Sequence, residues 1–338
     1  INSKSYIFNA FCKDIFPPIV KKMFEARLVN GSVWKRIVDT IKETIGEVNL
    51  DCGADGIRMQ GMDTSHVALV CLLLKDEGFD HFRCDKPMTL GVSMVNVSKI
   101  MKSASNDDAI TVQSEHDAEH VTFVFTHPKT EKVAEFNLKL MEIDVEHLGI
   151  PDTVYEANVT MPAGEFQRIC RDLTVCGENC TIKVDKNSIT FGSSGDLGSA
   201  RITLKHNTSV DKEEDAVTID MEEEIECSYS LKYLAQFSKA AMLSKQVVLS
   251  FSSEMPMLAE FNVGEGLGWL RFYLAPKIGE DDEEESSDEE DDEGAAHVKR
   301  EVKAELSDVE ELDEPVKKEP VKQETKLEAS DVEEEIES

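Results

Sequence analysis

The sequence lacks the signatures of several common classes of protein. None of its eight cysteines forms a Cys-x-x-Cys pair and no histidine lies at zinc-finger spacing, so we expect free thiols in a reducing compartment and no metal site. No run of 18 apolar residues occurs, so no transmembrane helix is expected. GSSGDLGS (192–199) and GEGLG (264–268) lack the lysine and the spacing of phosphate-binding loops, so no cofactor is predicted.

A convincing catalytic arrangement is also missing. Asp63, Ser65 and His66 in GMDTSH resemble a nucleophile with its base. The members of a catalytic triad, however, come together through the fold rather than as neighbours in the sequence. We therefore do not expect the chain to be an enzyme.

Acidic residues outnumber basic ones, and they are concentrated near the C-terminal end. The chain has 68 acidic and 36 basic residues, and residues 279–338 alone hold 27 acidic and 7 basic ones. This segment has almost no aromatic residues and contains runs such as EDDEEESSDEEDDE. Because it buries too little apolar surface to offset chain entropy, we predict a disordered acidic tail behind an ordinary soluble body.

An internal repeat organises the body of the chain. VNGSVWKRIVDTI (29–41) aligns with MPAGEFQRICRDL (161–173), so that Trp34 meets Phe166 and Arg36 meets Arg168. NVSKIMKSASNDDAITV (96–112) aligns with YLAQFSKAAMLSKQVVL (233–249). Each segment predicts an amphipathic helix beside a strand, so we expect two similar halves with two helices each.

Between the predicted helices lie segments with the alternation or the short apolar runs of β-strands, punctuated by Gly, Asn and Asp. They are HVALVCLLL, AITVQSE, HVTFVFT, KVAEFNLKL, CTIKVD, SITFGS, ARITLKH, AVTIDM, QVVLSFS, MLAEFNV and WLRFYLA. Many antiparallel strands with four helices indicate an α+β fold built by duplication. LMEIDVEHLGIPD (140–152) joins the halves and is unusually apolar for a linker.

Basic residues recur on one face of all four predicted helices. Members of a pair are three or seven residues apart, which places both side chains on one helical face. The pairs are Lys35 with Lys42, Lys99 with Lys102, Arg168 with Arg171 and Lys232 with Lys239. One such stripe is ordinary for a surface helix, whereas four related by a repeat indicate a shared anionic partner. Because no aromatic residues, helix-turn-helix or zinc finger accompany the stripes, duplex held by its phosphates is favoured over single strands.

Several motifs resemble a single family. MFEARLV, MDTSHVALV, EGFDHFRCD, LMEIDVEHLGIPD, MPAGEFQRICRDL, SVDKEEDAVTI and LAPKI are similar to the eukaryotic DNA sliding clamps, the proliferating cell nuclear antigen (PCNA) family. The resemblance runs from Met23 to Ile278. It implies a ring-forming homotrimer of duplicated DNA-clamp (processivity-fold) domains, with antiparallel sheets outside and four helices per chain inside. Such a ring encircles duplex DNA and tethers replication and repair proteins in the nucleus, without catalysis, cofactor or membrane partner.

The resemblance also implies roles for individual residues. The hole-lining positions are Lys35, Arg36, Lys42, Lys99, Lys102, Arg168, Arg171, Lys232 and Lys239. DNA polymerases, the clamp loader, a nuclease and a ligase would insert short peptides into a pocket formed by Met62, His66, Val67, Leu69, Leu148, Ile150, Pro151, Pro256, Tyr273, Ala275 and Pro276. Contacts between subunits map to Lys132, Phe136, Cys170, Leu173 and Leu197, and a ubiquitin acceptor maps to Lys186.

These features divide the chain into five parts. Residues 1–22 lack an initial Met and a clear cleavage site, so we expect a non-native or unstructured extension, with a targeting segment as the alternative. Residues 23–139 form clamp domain 1, 140–156 the interdomain connector, 157–278 clamp domain 2, and 279–338 the acidic tail.

The sequence departs from the family pattern in two places. FNVGEGLGWL is one residue longer than usual, and the chain continues well beyond LAPKI. In the added tail, Lys299, Lys303, Lys317 and Lys322 share an aliphatic-Lys-x-Glu context that resembles the acceptor motif for SUMO conjugation. Chance, or duplication of a short repeat in a Val- and Lys-rich acidic segment, is the alternative explanation.

Two other functions remain open from the sequence. One is a checkpoint-type clamp subunit that works in a heterotrimer, against which the intact pocket and interface motifs argue. The other is an acidic chromatin scaffold or histone chaperone driven by the tail. The native mass separates these hypotheses, because only the ring predicts three chain masses.

Overall fold

The structure is a computed structural model that describes residues 23–115, 118–144, 148–149, 154–209 and 212–277. By its internal contacts the chain forms one large unit, Ile1–His147 with Asp152–Glu290, and a second unit, Leu148–Pro151 with Asp291–Ser338. The predicted N-terminal extension and acidic tail lie outside the described residues. Within the described part of the chain, no helix is long and apolar enough to cross a membrane.

The first half of the large unit runs strand, helix, five strands, helix, three strands. In chain order these are β1 (Phe24–Leu28), α1 (Ser32–Ile41), β2 (Glu47–Gly53), β3 (Gly56–Met62), β4 (Ala68–Lys75), β5 (His81–Cys84), β6 (Met88–Ser93), α2 (Met94–Met101), β7 (Ala109–Ser114), β8 (His120–Thr126) and β9 (Val133–Lys139). A short 3₁₀ turn, Asp76–Gly78, separates β4 from β5.

The second half repeats this order. Its elements are β10 (Ala157–Pro162), α3 (Ala163–Leu173), β11 (Asn179–Asp185), β12 (Ser188–Gly195), β13 (Gly198–Lys205), β14 (Thr218–Met221), β15 (Ile225–Ser230), α4 (Leu231–Phe237), β16 (Gln246–Phe251), β17 (Met257–Val263) and β18 (Gly268–Leu274). Short 3₁₀ turns cover Glu213–Asp215 and Ser238–Met242. The predicted duplication, with two helices in each half, is confirmed.

All paired strands are antiparallel and form three sheets. The first has the order β5-β1-β7-β8-β9, the second β14-β10-β16-β17-β18-β4-β3-β2-β6, and the third β13-β12-β11-β15. In the nine-stranded sheet the two halves meet where β4 pairs with β18, from Ala68 opposite Leu274 to Leu74 opposite Gly268. This pairing makes one continuous sheet from strands that are far apart in the sequence.

Each helix buries one apolar face against the sheets. In α1, Trp34, Ile37, Val38 and Ile41 recur at spacings of three and four and are buried, which is the pattern of an amphipathic helix. Phe237 of α4 stacks on Phe272 of β18, with ring centroids 4.5 Å apart. The helices therefore cover the face of β18 that carries Phe272, which leaves the neighbouring side chains of β18 on the other face.

All eleven predicted strand segments coincide with strands, and β1 and β10 are the strands that the repeat predicts beside α1 and α3. Five other strands were not predicted: β2, β3, β5, β6 and β15. The alternation is present in β2 and β3, where Val48 and Cys52 or Ile57 and Met59 are buried and the residues between them are more exposed. Glycines at the ends of these strands resemble the punctuation of a loop. Gly56 has a φ of 135°, which favours glycine in the turn that joins them.

Candidate functional site

The four helices form one contiguous layer. Helix α1 packs against α2, α3 packs against α4, and the 3₁₀ turn Ser238–Met242 contacts both α1 and α3. Two hydrogen bonds fix the junction: Arg36 donates to the carbonyl of Met242 at 3.1 Å, and Gln167 Nε2 donates to the carbonyl of Ser238 at 3.1 Å. The basic stripes predicted separately for each helix therefore belong to a single surface, which we call the basic helix layer.

The nine predicted hole-lining residues differ in exposure. Arg36, Lys99, Lys102, Arg168, Arg171 and Lys232 are exposed, whereas Lys35, Lys42 and Lys239 are half-buried. Lys35 turns towards the loop that follows α2, where its amine donates to the carbonyl of Ala104 at 2.7 Å. Lys232 lies over the ring of Tyr233, with Nζ 5.5 Å from the centroid. Six of the nine side chains are thus directly available to a partner from solvent.

Acidic side chains are interspersed among the basic ones. Lys42 pairs with Asp39 at 2.5 Å, Arg171 pairs with Asp172 at 3.3 Å, and Arg168 contacts Asp172 at 3.6 Å. Lys239 pairs with Glu43, which links the two halves. Exposed ion pairs contribute little net free energy, so phosphate oxygens can replace the carboxylates at small cost. The layer can therefore attract a duplex without holding it at one position.

The predicted peptide pocket is built on strands of the nine-stranded sheet. Met62 of β3 lies opposite Leu69 of β4, Leu69 lies opposite Tyr273 of β18, and Tyr273 lies opposite Leu258 of β17. Residues directly opposite one another in antiparallel strands point to the same face. The four side chains therefore form an apolar row, which we call the groove row, on the face away from α4.

The loop and strand ends beside the groove row hold five more of the predicted pocket residues. His66 and Val67 lie in the loop between β3 and β4, Ala275 and Pro276 follow β18, and Pro256 precedes β17. The amide of Ala275 donates to the carbonyl of Val67 at 3.1 Å, which joins two of these segments. Of the remaining three, Leu148 belongs to the second unit, and Ile150 and Pro151 lie outside the described residues. Their part in partner binding stays a prediction.

Asp63 organises the loop between β3 and β4. Its Oδ1 accepts hydrogen bonds from the amides of Val67 and Ala68, both at 2.8 Å, and its Oδ2 accepts one from the amide of Ser65 at 3.1 Å and one from the Tyr233 hydroxyl at 2.6 Å. Burial opposes ionisation of this carboxyl, but the hydrogen bonds outweigh it and lower its pKa. Asp63 therefore acts as the ionised centre of the loop, and this geometry gives it a structural role.

A polar cluster borders the groove row. Arg271 of β18 stacks on Trp269 with its guanidinium carbon 4.0 Å from the ring centroid, and Arg271 Nε donates to Glu260 at 2.6 Å. Burial raises the pKa of Tyr273 to about 12, and its neighbour Cys71 adds to the effect. Tyr273 is therefore a neutral hydroxyl at physiological pH, able to donate a hydrogen bond at the rim of the row.

The predicted subunit contacts fall into two groups. Lys132 and Phe136 lie on or beside β9, an edge strand, and Phe136 is half-buried beside Phe125. Leu197 is 83% exposed at the turn before β13, another edge strand. Cys170 and Leu173, in contrast, are only 1% and 0% exposed. Both side chains belong to the inward face of α3, and their contact with a second subunit stays a prediction.

The predicted modification sites are placed only in part. Lys186 is exposed in the turn between β11 and β12, where the Asp185 carboxylate accepts hydrogen bonds from the amides of Asn187 and Ser188. Lys299, Lys303, Lys317 and Lys322 lie outside the described residues. The described part of the chain contains no group of three or more His, Cys, Asp or Glu side chains arranged to hold a metal ion.

A duplicated α+β chain with a basic layer of four helices on one face and sheets behind it defines the DNA-clamp class of protein. Family models agree: "Proliferating cell nuclear antigen, N-terminal domain" matches residues 23–147 and "Proliferating cell nuclear antigen, C-terminal domain" matches residues 149–277. A relative named proliferating cell nuclear antigen, from Chaetomium thermophilum, is 44% identical over 259 residues, which cover 77% of this chain and all of the relative. The chain belongs to the proliferating cell nuclear antigen family and is a DNA sliding clamp, a processivity factor.

Sequence reasoning missed three residues that the structure places at the site. Leu258 extends the groove row, and its signal was available, since it lies on a predicted strand two residues after Pro256. Tyr233 donates a hydrogen bond to Asp63, 170 residues away in the sequence, and no local sequence pattern predicts such a bond. Gly91 of β6 accepts a hydrogen bond from the Met141 amide at 3.0 Å, which fixes the start of the connector on the sheet edge.

Proposed function

We propose that the chain closes into a homotrimeric ring and that duplex DNA passes through the hole with the basic helix layer facing it. The observation that carries this proposal is the union of four helices, two from each half, into one surface bearing nine basic side chains. Three chains would present twelve such helices. The rest of the chain is acidic, which disfavours contact of DNA with other surfaces.

The DNA-facing residues are proposed to be Lys35, Arg36, Lys42, Lys99, Lys102, Arg168, Arg171, Lys232 and Lys239. They would contact phosphates rather than base edges, so binding is independent of sequence and sensitive to salt. The acids Asp39, Glu43 and Asp172 keep the attraction moderate, because each must release its partner before a phosphate takes its place. Moderate attraction suits a ring that holds DNA by its topology and moves along it.

Ring closure is proposed to pair β9 of one subunit with β13 of the next. In the described part of the chain each lies at the end of its sheet and pairs with one strand only, β8 or β12. Both edges carry exposed apolar side chains: Val133 on β9 is 57% exposed, and Leu197 beside β13 is 83% exposed. Open edges and apolar side chains favour association, and a head-to-tail contact that closes gives a ring.

Partner proteins are proposed to dock short peptides on the groove row and the loop beside it. The row offers Met62, Leu69, Leu258 and Tyr273 as an apolar floor, with the Tyr273 hydroxyl and the backbone of residues 63–67 as polar groups. DNA polymerases, the clamp loader, a nuclease and a ligase are the expected classes of partner. Tethering raises the local concentration of such a protein at the DNA without changing its chemistry.

The clamp itself is proposed to catalyse nothing and to work in the nucleus as a scaffold. Lys186 in its exposed turn is the proposed ubiquitin acceptor, and Lys299, Lys303, Lys317 and Lys322 are the proposed SUMO acceptors. Replacing these four lysines by Arg should remove the SUMO-conjugated ladder in a reconstituted conjugation reaction. An unchanged ladder would show that the repeated motif in the tail is not an acceptor.

The ring can be tested through the native mass of the full chain and two variants. Leu197→Asp should reduce the mass from three chain masses to one, because a charge at the contact loses its hydration on association. Val154→Asp is the matched control, since Val154 is 85% exposed and lies outside the proposed contact. A parent protein with one chain mass, or a trimeric Leu197→Asp variant, would contradict the proposed assembly.

A further inference from the structure

We propose that the Tyr233 hydroxyl holds the loop of residues 63–67 in the shape that receives partner peptides. A helix of the basic layer would thereby position a site on the other face of the sheet. Tyr233 is a positioning residue in this account, since it acts through Asp63 rather than on the peptide. The inference rests on the proposed docking of peptides beside the groove row.

Backbone hydrogen bonds alone do not account for the conformation of the loop of residues 63–67. It joins β3 to β4 through the Asp63 amide, which donates to the carbonyl of Ala68 at 2.9 Å, and the His66 amide, which donates to the carbonyl of Asp63 at 3.0 Å. His66 has a φ of 56°, a left-handed conformation that is unfavourable for a residue with a side chain. Such a conformation persists only where surrounding contacts impose it.

The Asp63 carboxylate supplies those contacts. Three of the four hydrogen bonds described for it come from the loop and the start of β4, through the amides of Ser65, Val67 and Ala68. These three amides converge on one buried carboxylate, which ties the backbone from Ser65 to Ala68 to a single group. The position and orientation of the carboxylate therefore determine where Val67 and His66 stand.

Tyr233 fixes the carboxylate from outside the loop. Its hydroxyl donates to Asp63 Oδ2 at 2.6 Å, the shortest of the four bonds. Its ring is held on α4, 6.3 Å from the ring of Phe237, which itself stacks on Phe272 of β18. Tyr233 thus connects the buried face of α4 to the loop, to which Ala275 also donates a backbone hydrogen bond at Val67.

Removing the hydroxyl oxygen of Tyr233 should loosen the loop of residues 63–67. In Tyr233→Phe the ring can stay in place, and Asp63 keeps the three amide bonds but loses its tie to α4. We expect the Val67 and Ala68 amides to exchange with solvent about tenfold faster or more, as befits loss of a hydrogen bond to a charged group. Affinity for a partner peptide should fall by a similar factor, because binding must then order the loop.

The experiment uses the full-chain clamp and a fluorescein-labelled synthetic peptide that carries one aliphatic and two aromatic residues in the spacing of a clamp-binding motif. Peptide affinity is measured by fluorescence anisotropy, amide exchange by mass spectrometry of peptides spanning residues 60–70, and assembly by native mass. Tyr229→Phe is the control, because it removes the same atom from β15, where Tyr229 packs beside Phe251 instead of bonding to Asp63. Tyr229→Phe should leave exchange at 60–70 and peptide affinity unchanged.

A double-mutant cycle with Asp63→Asn separates positioning from a general loss of stability. If Tyr233 acts through Asp63, its substitution should have little further effect on peptide affinity once Asp63 is replaced. Additive losses of affinity would overturn the proposal, as would unchanged exchange at Val67 and Ala68 in Tyr233→Phe. Faster exchange with unchanged peptide affinity would also overturn it, because the loop would then move without consequence for binding.

A different variant tests the underlying assignment of the groove. Val67→Asp places a charge in the proposed docking surface and should abolish binding of the labelled peptide at native trimer mass. If the peptide binds Val67→Asp as tightly as the parent, the proposed docking site is wrong. The exchange measurement on Tyr233→Phe does not depend on the peptide, so the two failures are distinguishable.

Discussion

Gly91 on β6 is the point at which the start of the connector approaches the sheet most closely. A Cβ atom added there would stand 2.1 Å from the carbonyl oxygen of Met141 and 3.1 Å from Asn49 Oδ1. Both neighbours belong to an anchor of two hydrogen bonds, since the Met141 amide donates to Gly91 at 3.0 Å and Asn49 Nδ2 donates to the carbonyl of Ile143 at 2.9 Å. We predict that Gly91→Ala displaces residues 141–143 from the edge of β6.

The magnitude follows from what the displacement breaks. Two hydrogen bonds contribute about 1–3 kcal/mol together, at about 0.5–1.5 kcal/mol each. Replacing Gly by Ala returns about 0.4–1 kcal/mol by restricting the unfolded chain. The net loss in the free energy of unfolding should be about 1.3 kcal/mol at the centre of these ranges and at most about 2.6 kcal/mol. Local protection of the Met141 amide should fall roughly tenfold or more, because displacement of residues 141–143 separates this amide from its acceptor, the carbonyl of Gly91.

Hydrogen exchange read by mass spectrometry on peptides spanning residues 139–144 measures the local effect, and urea denaturation measures the global one. Both are compared at one protein concentration, because association also affects the apparent stability. Gly46→Ala is the matched control, since a Cβ there meets nothing within 4 Å. Equal exchange at 139–144 in Gly91→Ala and the parent would refute the close approach on which the reasoning depends.

Three further predictions concern charge, protonation and thiol reactivity. Replacing Arg168 and Arg171 by Gln should weaken binding to short duplex DNA and flatten its salt dependence, since each phosphate contact contributes about 0.9 to the slope of log affinity against log salt; an unchanged slope would exclude them from the DNA-facing set. The lowered pKa of Asp63 stabilises the fold above the ordinary carboxyl range near about 4, and this contribution is lost as pH falls through the folded-state pKa. The stability difference between parent and Asp63→Asn should therefore shrink below about pH 4 in urea titrations, and a constant difference would contradict this. Iodoacetamide should label half-buried Cys176 well before Cys170, whose pKa burial raises, as peptide mass mapping would show; equal rates would contradict the described packing.

The repeated part of the fold was predictable because its determinants are local. Spacings of three and four among Trp34, Ile37, Val38 and Ile41 specify a helix, and the aligned segment at 161–173 specifies its counterpart. Three of the strands that escaped prediction are short or adjoin a glycine: β5 has four residues, β2 ends at Gly53 and β3 begins at Gly56. The alternation of buried and exposed residues is present in β2 and β3, but the glycines at their ends suggest a loop instead of a strand.

The strand pairing that joins the two halves could not be predicted from the sequence. Nothing local to Ala68 or Leu274 indicates that β4 pairs with β18, because such a pairing reflects the packing of the whole unit. The same holds for the hydroxyl of Tyr233 and the carboxylate of Asp63, which meet only in the folded chain. Cys170 and Leu173 are buried in the core, and their assigned contact with a second subunit stays a prediction.

The central claim is that the basic helix layer surrounds DNA rather than binding it as an open surface. It is tested most directly by loading the labelled full-chain clamp onto a nicked circular plasmid with a clamp loader and ATP, then cutting the circle once and separating bound from free clamp by gel filtration. A ring should stay with the intact circle and leave after linearisation, because its hold is topological. Equal retention on the circular and the linear plasmid would contradict encirclement and indicate ordinary surface binding.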